Sequence, residues 1–299
     1  MPSLPRPSPQ NPHPSVAKER EFHFTQEDFE RVRELIYRQA GISLAPVKRD
    51  MVYSRLARRL RALNYRTFAE YLAYLQSNDE EWETFINSLT TNLTSFFREA
   101  HHFDILAEHL SRLQHRPLRI WCSAASTGEE PYSLAITACE VFDSLSPPVQ
   151  IVASDIDTNV LATAQRGIYP LERVARLDAG RLKRFFLKGT GTQSGQARVR
   201  PELQKLISFM RINLLDTQWP LRNELDAIFC RNVMIYFDKP TQYQILKKFR
   251  PLLCENGLLF AGHSESFMHA ADLFRSLGRT VYERADQRPG RHALKGLHR

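Results

Sequence analysis

Residues 118–133 read LRIWCSAASTGEEPYS, in which a short apolar run passes through small residues into a helical pattern. The segment LRIWCSA is rich in strand-forming residues, and the turn after it contains the serine and glycine typical of a change of element. The same alternation returns at VQIVASD (149–155), which a helical pattern follows, and at LDAIFCRNV (225–233). Strands that alternate with helices predict an α/β domain built on a doubly wound, mostly parallel sheet.

Three further segments complete this predicted sheet. ISFMRINLL (207–215) and GLLFAG (257–262) are short apolar runs that we expect to form strands, and a helix is expected at about 240–253. TVYER (280–284) is expected to add an antiparallel strand at an edge of the sheet.

One segment interrupts the alternation of strands and helices. FFLKGTGTQSGQARVRPELQ (185–204) places Gly-rich turn residues between the short alternating runs FFLK and ARVR. This pattern is typical of a β-hairpin, so we expect an antiparallel β-subdomain inserted into the α/β domain at about 181–206.

The residues before the α/β domain carry helical patterns only. The sequence TQED at Thr25–Asp28 is typical of a helix start, and Gly41 is typical of a helix end. Apolar stripes predict a second helix over about 48–63 and two more helices before residue 90. We therefore expect an N-terminal all-α domain over 21–95 and the α/β domain over 96–285.

The composition of the 299 residues is that of a globular chain, with 42% hydrophobic and 25% charged residues. It excludes wholesale disorder, and no apolar run reaches the ~18 residues that span a bilayer, so no membrane insertion is expected. Six prolines before position 15 predict a disordered tail over 1–20, and a basic tail is expected over 286–299. The four cysteines form no CxxC pair, so we expect neither a zinc site nor a disulfide framework, and a reducing cytosol is the simplest compartment.

The net charge of +8 is concentrated in three basic segments. Residues 44–66, 166–205 and 284–299 have net charges of +6, +7 and +4, and the rest of the chain has a net charge of −9. Such patches attract polyanions, which include nucleic acid, anionic lipid and strongly acidic proteins. Composition leaves the choice among these partners open.

Carboxylates follow two of the predicted strands. Glu129 and Glu130 lie in the turn after the first strand, and Asp155 ends the second. Ligands bind beyond the carboxyl ends of such strands, where a carboxylate can accept hydrogen bonds from ribose hydroxyls. Because neither GxGxxG nor GK[ST] is present, an adenosyl compound without a required pyrophosphate is favoured, and S-adenosylmethionine fits. A tight turn with solvated acids is the alternative for the two glutamates, and helix capping is the simpler role for Asp157.

The segment TTNLTSFFRE (90–99) lies at the junction of the two predicted domains. It gathers short polar side chains beside Arg98, whose guanidinium can clamp a carboxylate through two hydrogen bonds. The alternative is an ordinary helix start that buries Phe96 and Phe97.

Two other predicted strands end in polar residues. Arg231 and Asn232 follow the strand that precedes Tyr236, and Asn213 in INLLD could pair with a base edge. GHSES (262–266) lacks the G-x-S-x-G spacing of a hydrolase, and the histidines have no metal-ligand spacing, so no metal is expected.

Five stretches together resemble the CheR-type chemotaxis receptor methyltransferases: NSLTTNLTSFFRE, RIWCSAASTGEEPYSLAI, ASDIDTNVLATAQRGIY, IFCRNVMIYFDKPTQ and GLLFAGHSES. The resemblance covers about residues 24–283. It implies an S-adenosylmethionine-dependent protein-glutamate O-methyltransferase. Such an enzyme esterifies glutamate side chains on the cytoplasmic helical bundle of methyl-accepting chemotaxis receptors and releases S-adenosylhomocysteine. The resemblance also implies the helical domain, the α/β domain and the β insertion predicted above.

The resemblance assigns roles to particular residues of this chain. Glu129 is expected at the methionine part of the cofactor, Asp155 at the ribose and Asn213 near the adenine. Arg98 and Tyr236 are expected to hold the acceptor as catalytic residues. The full set of expected cofactor contacts is Asn92, Thr94, Arg98, Glu129, Asp155, Asn213, Leu214, Arg231 and Asn232.

Two surfaces are candidates for contact with the receptor. The basic helix over 48–63 could dock on an acidic receptor bundle, although a solvated helix face is the alternative. Its candidate docking residues are Arg55, Arg58, Arg59 and Arg61. The resemblance further implies that the β insertion, with the turn KGTGTQSGQ (188–196), can bind a C-terminal receptor peptide by strand addition.

A glutamate with a pKa of about 4.3 is ionised at pH 7, so methylation of its carboxylate requires positioning but no general base. Two other functions stay open. One is a non-catalytic receptor-binding module that retains the cofactor pocket. The other is an RNA methyltransferase, although no aromatic stacking platform or RNA module is found, and we expect no nucleic-acid partner.

Overall fold

The computed structural model describes residues 20–113 and 117–286. The tails expected over 1–20 and 286–299 therefore lie outside the described residues, except for the innermost residue of each. In the part of the chain that the structure describes, no helix combines the length and the apolar composition needed to cross a bilayer.

An all-α domain forms the N-terminal part of the described chain. Its α1 begins with the predicted capping box, in which the Thr25 hydroxyl accepts from the Asp28 N–H and the Asp28 carboxylate accepts from the Thr25 N–H, each at 2.9 Å. The same helix ends at Gly41, whose φ of 69° suits glycine, so both predicted ends are confirmed. The four helices are α1 Gln26–Ala40, α2 Arg49–Leu63, α3 Phe68–Ser77 and α4 Asp79–Leu89.

One buried carboxylate ties three of these helices together. Glu81 of α4 is 3% exposed and accepts two hydrogen bonds from Arg59 of α2, at 2.7 and 2.5 Å. It also accepts from the hydroxyl of Tyr71 in α3 at 2.9 Å. Burial raises the pKa of Tyr71, so its hydroxyl keeps the proton that it donates.

The α/β domain confirms the predicted doubly wound, mostly parallel sheet. The strands are β1 Leu118–Cys122, β2 Val149–Asp155, β3 Ile168–Pro170, β4 Phe186–Lys188, β5 Gln196–Val199, β6 Ile207–Arg211, β7 Leu225–Cys230, β8 Leu253–Ala261, β9 Phe274–Gly278 and β10 Val281–Arg284. The helices are α5 His101–Arg112, α6 Glu129–Val141, α7 Thr158–Arg166, α8 Leu171–Val174, α9 Ala179–Phe185, α10 Pro201–Gln204 and α11 Lys239–Phe249. The main sheet has the order β6-β2-β1-β7-β8-β10-β9. Its first five strands are parallel, and β10 is antiparallel to both neighbours.

Two elements differ from the predictions. The segment TVYER forms β10 but not an edge strand, because β9 pairs along its outer side. A tight reversal through Gly278 and Arg279, both with positive φ, joins these strands as a hairpin. The helix expected at about 240–253 ends at Phe249, because Pro251 has no backbone N–H with which to continue the helical hydrogen bonds.

The inserted β-subdomain is a separate antiparallel sheet with the order β3-β5-β4. The predicted hairpin supplies β4 and β5, in which Phe186 pairs with Val199. The third strand, β3, lies before the range of 181–206 in which the insertion was expected. Gly167 has a φ of 60°, ends α7 and turns the chain directly into β3, so no loop marks this strand in the sequence.

The order of the strands places a crevice at the centre of the main sheet. The strand β1 pairs with β2 on one side and β7 on the other, which is the switch point at which ligands bind in open α/β sheets. The all-α domain covers this crevice, since the Asn213 amide donates to the Gln39 carbonyl at 2.8 Å. Gly41 packs closely there, because a Cβ on it would lie 3.0 Å from the side chains of Leu215 and Phe237.

We expect Glu81→Ala to lower the free energy of unfolding by about 2–3 kcal/mol, because it leaves Arg59 and Tyr71 without their buried acceptor. Urea denaturation followed by circular dichroism measures this change. Glu80→Ala is the matched control, since Glu80 is exposed one position earlier in α4, and its effect should stay below about 0.5 kcal/mol. Equal stabilities of the two variants would contradict the role of Glu81.

Candidate cofactor and acceptor site

A cleft of about 400 Å³ opens at the carboxyl ends of β1, β2 and β7. Its volume lies in the range of about 300–1,000 Å³ typical of small-molecule sites. The segment between α1 and α2 forms its roof through Ile42 and Leu44. The cleft brings together every expected cofactor or catalytic residue except Glu129: Asn92, Thr94, Arg98, Asp155, Asn213, Leu214, Arg231, Asn232 and Tyr236.

Asp155, the last residue of β2, is a buried hydrogen-bond acceptor in the wall of the cleft. Its two carboxylate oxygens accept from the backbone N–H groups of Ser126 at 2.8 Å and Asp157 at 3.0 Å. The residue is 8% exposed, and burial raises its pKa to about 6. The carboxylate is therefore ionised at neutral pH, and its remaining lone pairs can accept hydroxyl groups of a ligand.

Asp157 joins α7 to the segment between the two domains. One of its oxygens accepts from the Asn159 N–H at 2.9 Å, which confirms the predicted helix cap. The other accepts from the Thr90 hydroxyl at 2.7 Å and from the Asn92 amide at 2.9 Å. The side chain of Asn92 is thus oriented by a carboxylate of the α/β domain.

The two glutamates of the first turn have different surroundings. Glu130 lines the cleft and accepts from Arg231 at 2.6 Å. Glu129 is completely buried, accepts from the Thr127 hydroxyl at 2.6 Å and lies 3.3 Å from Arg173. Successive helix residues diverge by about 100°, so only one of the two side chains can form the cleft wall. The carboxylate in the wall is that of Glu130, and the contact expected for Glu129 stays a prediction.

Arg231, which follows β7, has a fully buried side chain. Its guanidinium contacts Glu130 at 2.6 Å and Glu99 at 3.1 Å, and it donates to the Arg98 carbonyl at 2.5 Å. Burial by itself would lower the pKa of Arg231, but the two carboxylates raise it, so the group stays charged. Arg231 therefore links three segments around the cleft, which are the end of β7, the start of α6 and the segment that contains Arg98 and Glu99.

Arg98 and Tyr236 face the cleft from opposite segments. The Arg98 side chain is about 35% exposed, and one of its amino groups donates to the Leu93 carbonyl at 2.9 Å. Tyr236 lies in the loop after β7, and its carbonyl accepts from the Ser43 N–H of the roof at 2.8 Å. Arg98 is thus accessible to an incoming carboxylate, while the loop that carries Tyr236 is bound to the all-α domain.

The side chain of Asn213 is already used within the protein. Its amide nitrogen donates to Gln39, and its amide oxygen accepts from the Leu215 N–H at 3.0 Å. An amide has two N–H groups and an oxygen with two lone pairs, so the pairing of this side chain with a base edge stays a prediction. Leu214, the next residue, contributes an apolar side chain to the same wall.

One residue that organises the cleft was missed in the sequence. Glu265 is 5% exposed and accepts from the N–H groups of Asn232 at 2.9 Å, Gly262 at 2.5 Å and Ile235 at 3.3 Å. These contacts hold Asn232 in a conformation with a φ of 57°. The only sequence signal was a lone acid after a strand in GHSES. It does not reveal that two of its partners, the N–H groups of Asn232 and Ile235, lie about 30 residues earlier in the chain.

The four arginines that were expected to dock the receptor have different surroundings in the structure. Arg55, Arg58 and Arg59 line an open groove, in which Arg55 also donates to the Thr90 carbonyl at 2.5 Å. Thr90 lines both this groove and the cleft, so the two lie next to each other at this residue.

The other contacts of these arginines limit what they can bind. Arg61 lies outside the groove and pairs with Glu21 at 2.9 Å. Arg59 is held by Glu81 in the core of the all-α domain. Arg58 is exposed, and no residue in the described ranges forms an ion pair with it.

Two family models match this chain. The model of the CheR methyltransferase all-alpha domain matches residues 27–90, and that of the CheR methyltransferase SAM binding domain matches residues 92–283. The chain belongs to the CheR methyltransferase family. It is therefore an S-adenosylmethionine-dependent methyltransferase of chemotaxis. The two CheR models meet at residues 90–92, slightly before the expected domain boundary between 95 and 96.

Curated CheR relatives match over nearly their whole length. Chemotaxis protein methyltransferase 2 of Pseudomonas aeruginosa is 59% identical over 268 residues, which cover 89% of this chain and 95% of that protein. The chemotaxis protein methyltransferase of Salmonella typhimurium is 54% identical over 85% of this chain and 88% of its own length. Among solved structures, a TehB-like SAM-dependent methyltransferase from Corynebacterium glutamicum aligns with a TM-score of only 0.36 and 10% identity, over 62% of this chain and 96% of that chain.

The residues of the CheR cleft fit S-adenosylmethionine. The buried carboxylate of Asp155 could accept from the ribose hydroxyls, and the apolar side chains of Ile212 and Leu214 could pack against the adenine. The turn into α6 is tightly packed, because a Cβ on Gly128 would lie 2.6 Å from the Tyr169 hydroxyl. Within residues 20–113 and 117–286, no group of three or more His, Cys, Asp or Glu side chains could hold a metal ion.

We expect Asp155→Asn to weaken S-adenosylmethionine binding about 10- to 100-fold, because a charged hydrogen-bond acceptor is lost. Binding of the wild type should also weaken as the pH falls through about 6, since the ligand hydroxyls favour the ionised carboxylate. Isothermal titration calorimetry between pH 5 and 8 measures both effects. Asp155→Asn should lack this pH dependence. The control is Asp216→Asn, because Asp216 is an exposed aspartate after β6. Unchanged affinity in Asp155→Asn would contradict the assignment.

Proposed function

We propose that this CheR-family enzyme methylates glutamate side chains on chemotaxis receptors and forms glutamate methyl esters. The observation that carries the proposal is the accessible guanidinium of Arg98 at the edge of the cofactor cleft, across from Tyr236. A cation at this position suits an acceptor that is itself a carboxylate. Relatives named chemotaxis protein methyltransferase support a receptor as the protein that carries it.

The residues of the chain position the acceptor and move no proton. When bound, S-adenosylmethionine supplies a methyl group activated by its sulfonium. A glutamate carboxylate is ionised at pH 7, so no side chain has to act as a base. Arg98 keeps donors available beyond its bond to Leu93, and it can hold one carboxylate oxygen while the other faces the methyl group. The Tyr236 hydroxyl supplies a second, uncharged donor.

We expect Arg98→Ala to lower kcat/KM for receptor methylation about 100-fold, because the acceptor loses its charge-assisted hydrogen bonds. The assay follows transfer of labelled methyl groups to purified receptor. Arg98→Lys should recover only part of the activity, since a lysine keeps the charge without the planar fork. Tyr236→Phe tests the hydroxyl separately. A near-normal kcat/KM in Arg98→Ala would exclude this role.

The same assay separates the alternative functions. Methyl esters release methanol in alkali, so base-labile label on the receptor supports the proposal. A chain that binds S-adenosylmethionine but labels no receptor would be a non-catalytic receptor-binding module. Label on RNA would identify an RNA methyltransferase.

The open groove of Arg55, Arg58 and Arg59 is the proposed contact with the acidic face of the receptor bundle. It lies next to the cleft at Thr90, which supports a receptor helix that contacts the groove and presents a glutamate to Arg98. This geometry supports the all-α domain as the receptor-docking domain. Of the three arginines, Arg58 has the greatest freedom to pair with the receptor.

We expect Arg58→Glu to raise KM for the receptor about tenfold at low salt, because an attractive surface charge becomes repulsive. The effect should shrink above about 0.5 M salt, where exposed charges are screened. Arg222→Glu is the matched control, since Arg222 is exposed shortly before the amino end of β7, opposite the cleft. Equal KM values for both variants and the wild type would rule out docking through Arg58.

The β-subdomain is proposed as a second receptor contact. Its outer strands β3 and β4 each have a free edge in the described residues, and each exposes an apolar side chain, Ile168 and Leu187. An extended C-terminal receptor peptide can add to such an edge by backbone hydrogen bonds.

A further inference from the structure

Three of the four most exposed large apolar side chains in the described residues surround the mouth of the cleft. Val47 is 83% exposed, Leu93 is 78% exposed and Ile235 is 51% exposed. Leu93 and Ile235 line the cleft, and Val47 lies between Ala45 and Lys48, which also line it. A single exposed apolar residue is ordinary, but three around one opening indicate a contact surface.

These three residues come from separate segments that bury their other apolar side chains. Val47 lies in the roof, where the nearby Leu44 is 6% exposed. Ile235 lies in the loop after β7, directly after Met234, which is fully buried. Leu93 lies in the segment between the two domains. Each segment thus buries one apolar side chain in the core and leaves another exposed at the mouth of the cleft. Packing of the core therefore does not explain why Val47, Leu93 and Ile235 are exposed.

We propose that Val47, Leu93 and Ile235 form an apolar rim that contacts the acceptor helix on the turns next to the methylated glutamate. This inference rests on the proposed function and adds a determinant of acceptor choice. Helix residues three or four positions apart lie on one face, about 5–6 Å apart at Cβ. A helical glutamate that enters the cleft therefore brings the residues one turn before and after it against the rim. The rim selects apolar side chains at those positions.

The charges beside the rim identify the same occupant. The arginine groove lies next to the cleft at Thr90, three residues before Leu93, so a helix that extends from the rim past Thr90 comes close to the groove that contains Arg58. An amphipathic acidic helix satisfies both surfaces, because it offers carboxylates to the groove and apolar side chains to the rim. A free amino acid or a nucleic acid would leave the rim without a partner.

Leu93 also connects the rim to Arg98, the residue proposed to hold the acceptor carboxylate. Its carbonyl accepts from Arg98 at 2.9 Å, while its side chain points out to solvent at the mouth. A helix that packs on Leu93 therefore fixes the segment against which the Arg98 guanidinium rests. Docking of the correct helix and positioning of the guanidinium are coupled through this residue.

The test compares the double variant Leu93→Ser/Ile235→Ser with Met268→Ser. Met268 is 85% exposed but does not line the cleft, so Met268→Ser removes exposed apolar surface away from the cleft and serves as the control. We expect the double variant to raise KM for intact receptor about tenfold and Met268→Ser to leave it unchanged. Thermal unfolding followed by circular dichroism confirms that each variant is folded. The rise in KM should persist at 0.5 M salt, because an apolar contact is not screened.

A receptor variant supplies the reciprocal measurement. In this receptor variant, lysine replaces the apolar residues one turn from a methylated glutamate. We expect the wild-type enzyme to methylate it about tenfold less. The difference in activity between the wild-type enzyme and the double variant should be smaller on this receptor than on the unmodified receptor. An unchanged KM in a folded double variant overturns the rim. Absence of base-labile label on the receptor with the wild type would instead overturn the proposed function, so the two failures are distinct.

Discussion

The buried guanidinium of Arg231 joins the segments on which the cleft depends. It extends from the end of β7 to Glu130 at the start of α6, and to Glu99 and the Arg98 carbonyl between the two domains. A charge removed from water is tolerated only when it is paired, and the loss of one partner leaves the other charge uncompensated. The network therefore fixes the distance between the central strands and the interdomain segment. The backbone of Arg98 is positioned before any acceptor arrives.

The two sides of the cleft differ in their exposure. On the proposed cofactor side, Asp155 is buried and accepts hydrogen bonds from backbone N–H groups, so its geometry is set by the fold. On the proposed acceptor side, Arg98 is half-buried, and Leu93 and Ile235 are exposed. A small cofactor of constant shape benefits from a preorganised wall, since little has to move on binding. A protein acceptor approaches from solvent and requires an accessible surface.

Most of the fold could be predicted because each signal lies within one short segment. The capping box at Thr25, the run LRIWC and the cap at Asp157 specify their own elements through contacts with near neighbours. The strands β3 and β9 were missed for the opposite reason. Each has only three or five residues and a weak pattern of its own. The strand β3 forms because β5, far along the chain, offers it a hydrogen-bonding edge, and β9 forms because it folds back on β10. A related limit applies to Glu265, because its partners Asn232 and Ile235 are far away in the chain.

The sequence by itself determined the fold class, the family and nine residues of the cleft, because these depend on local periodicity and on long motifs. Only the tertiary structure decided how the side chains are used. It showed that Glu130 rather than Glu129 lines the cleft, that Asn213 is bound to α1, and that Arg59 is paired with the buried Glu81. Polar side chains in a folded chain bind the nearest available partner, and that partner is set by packing between elements that no local pattern encodes.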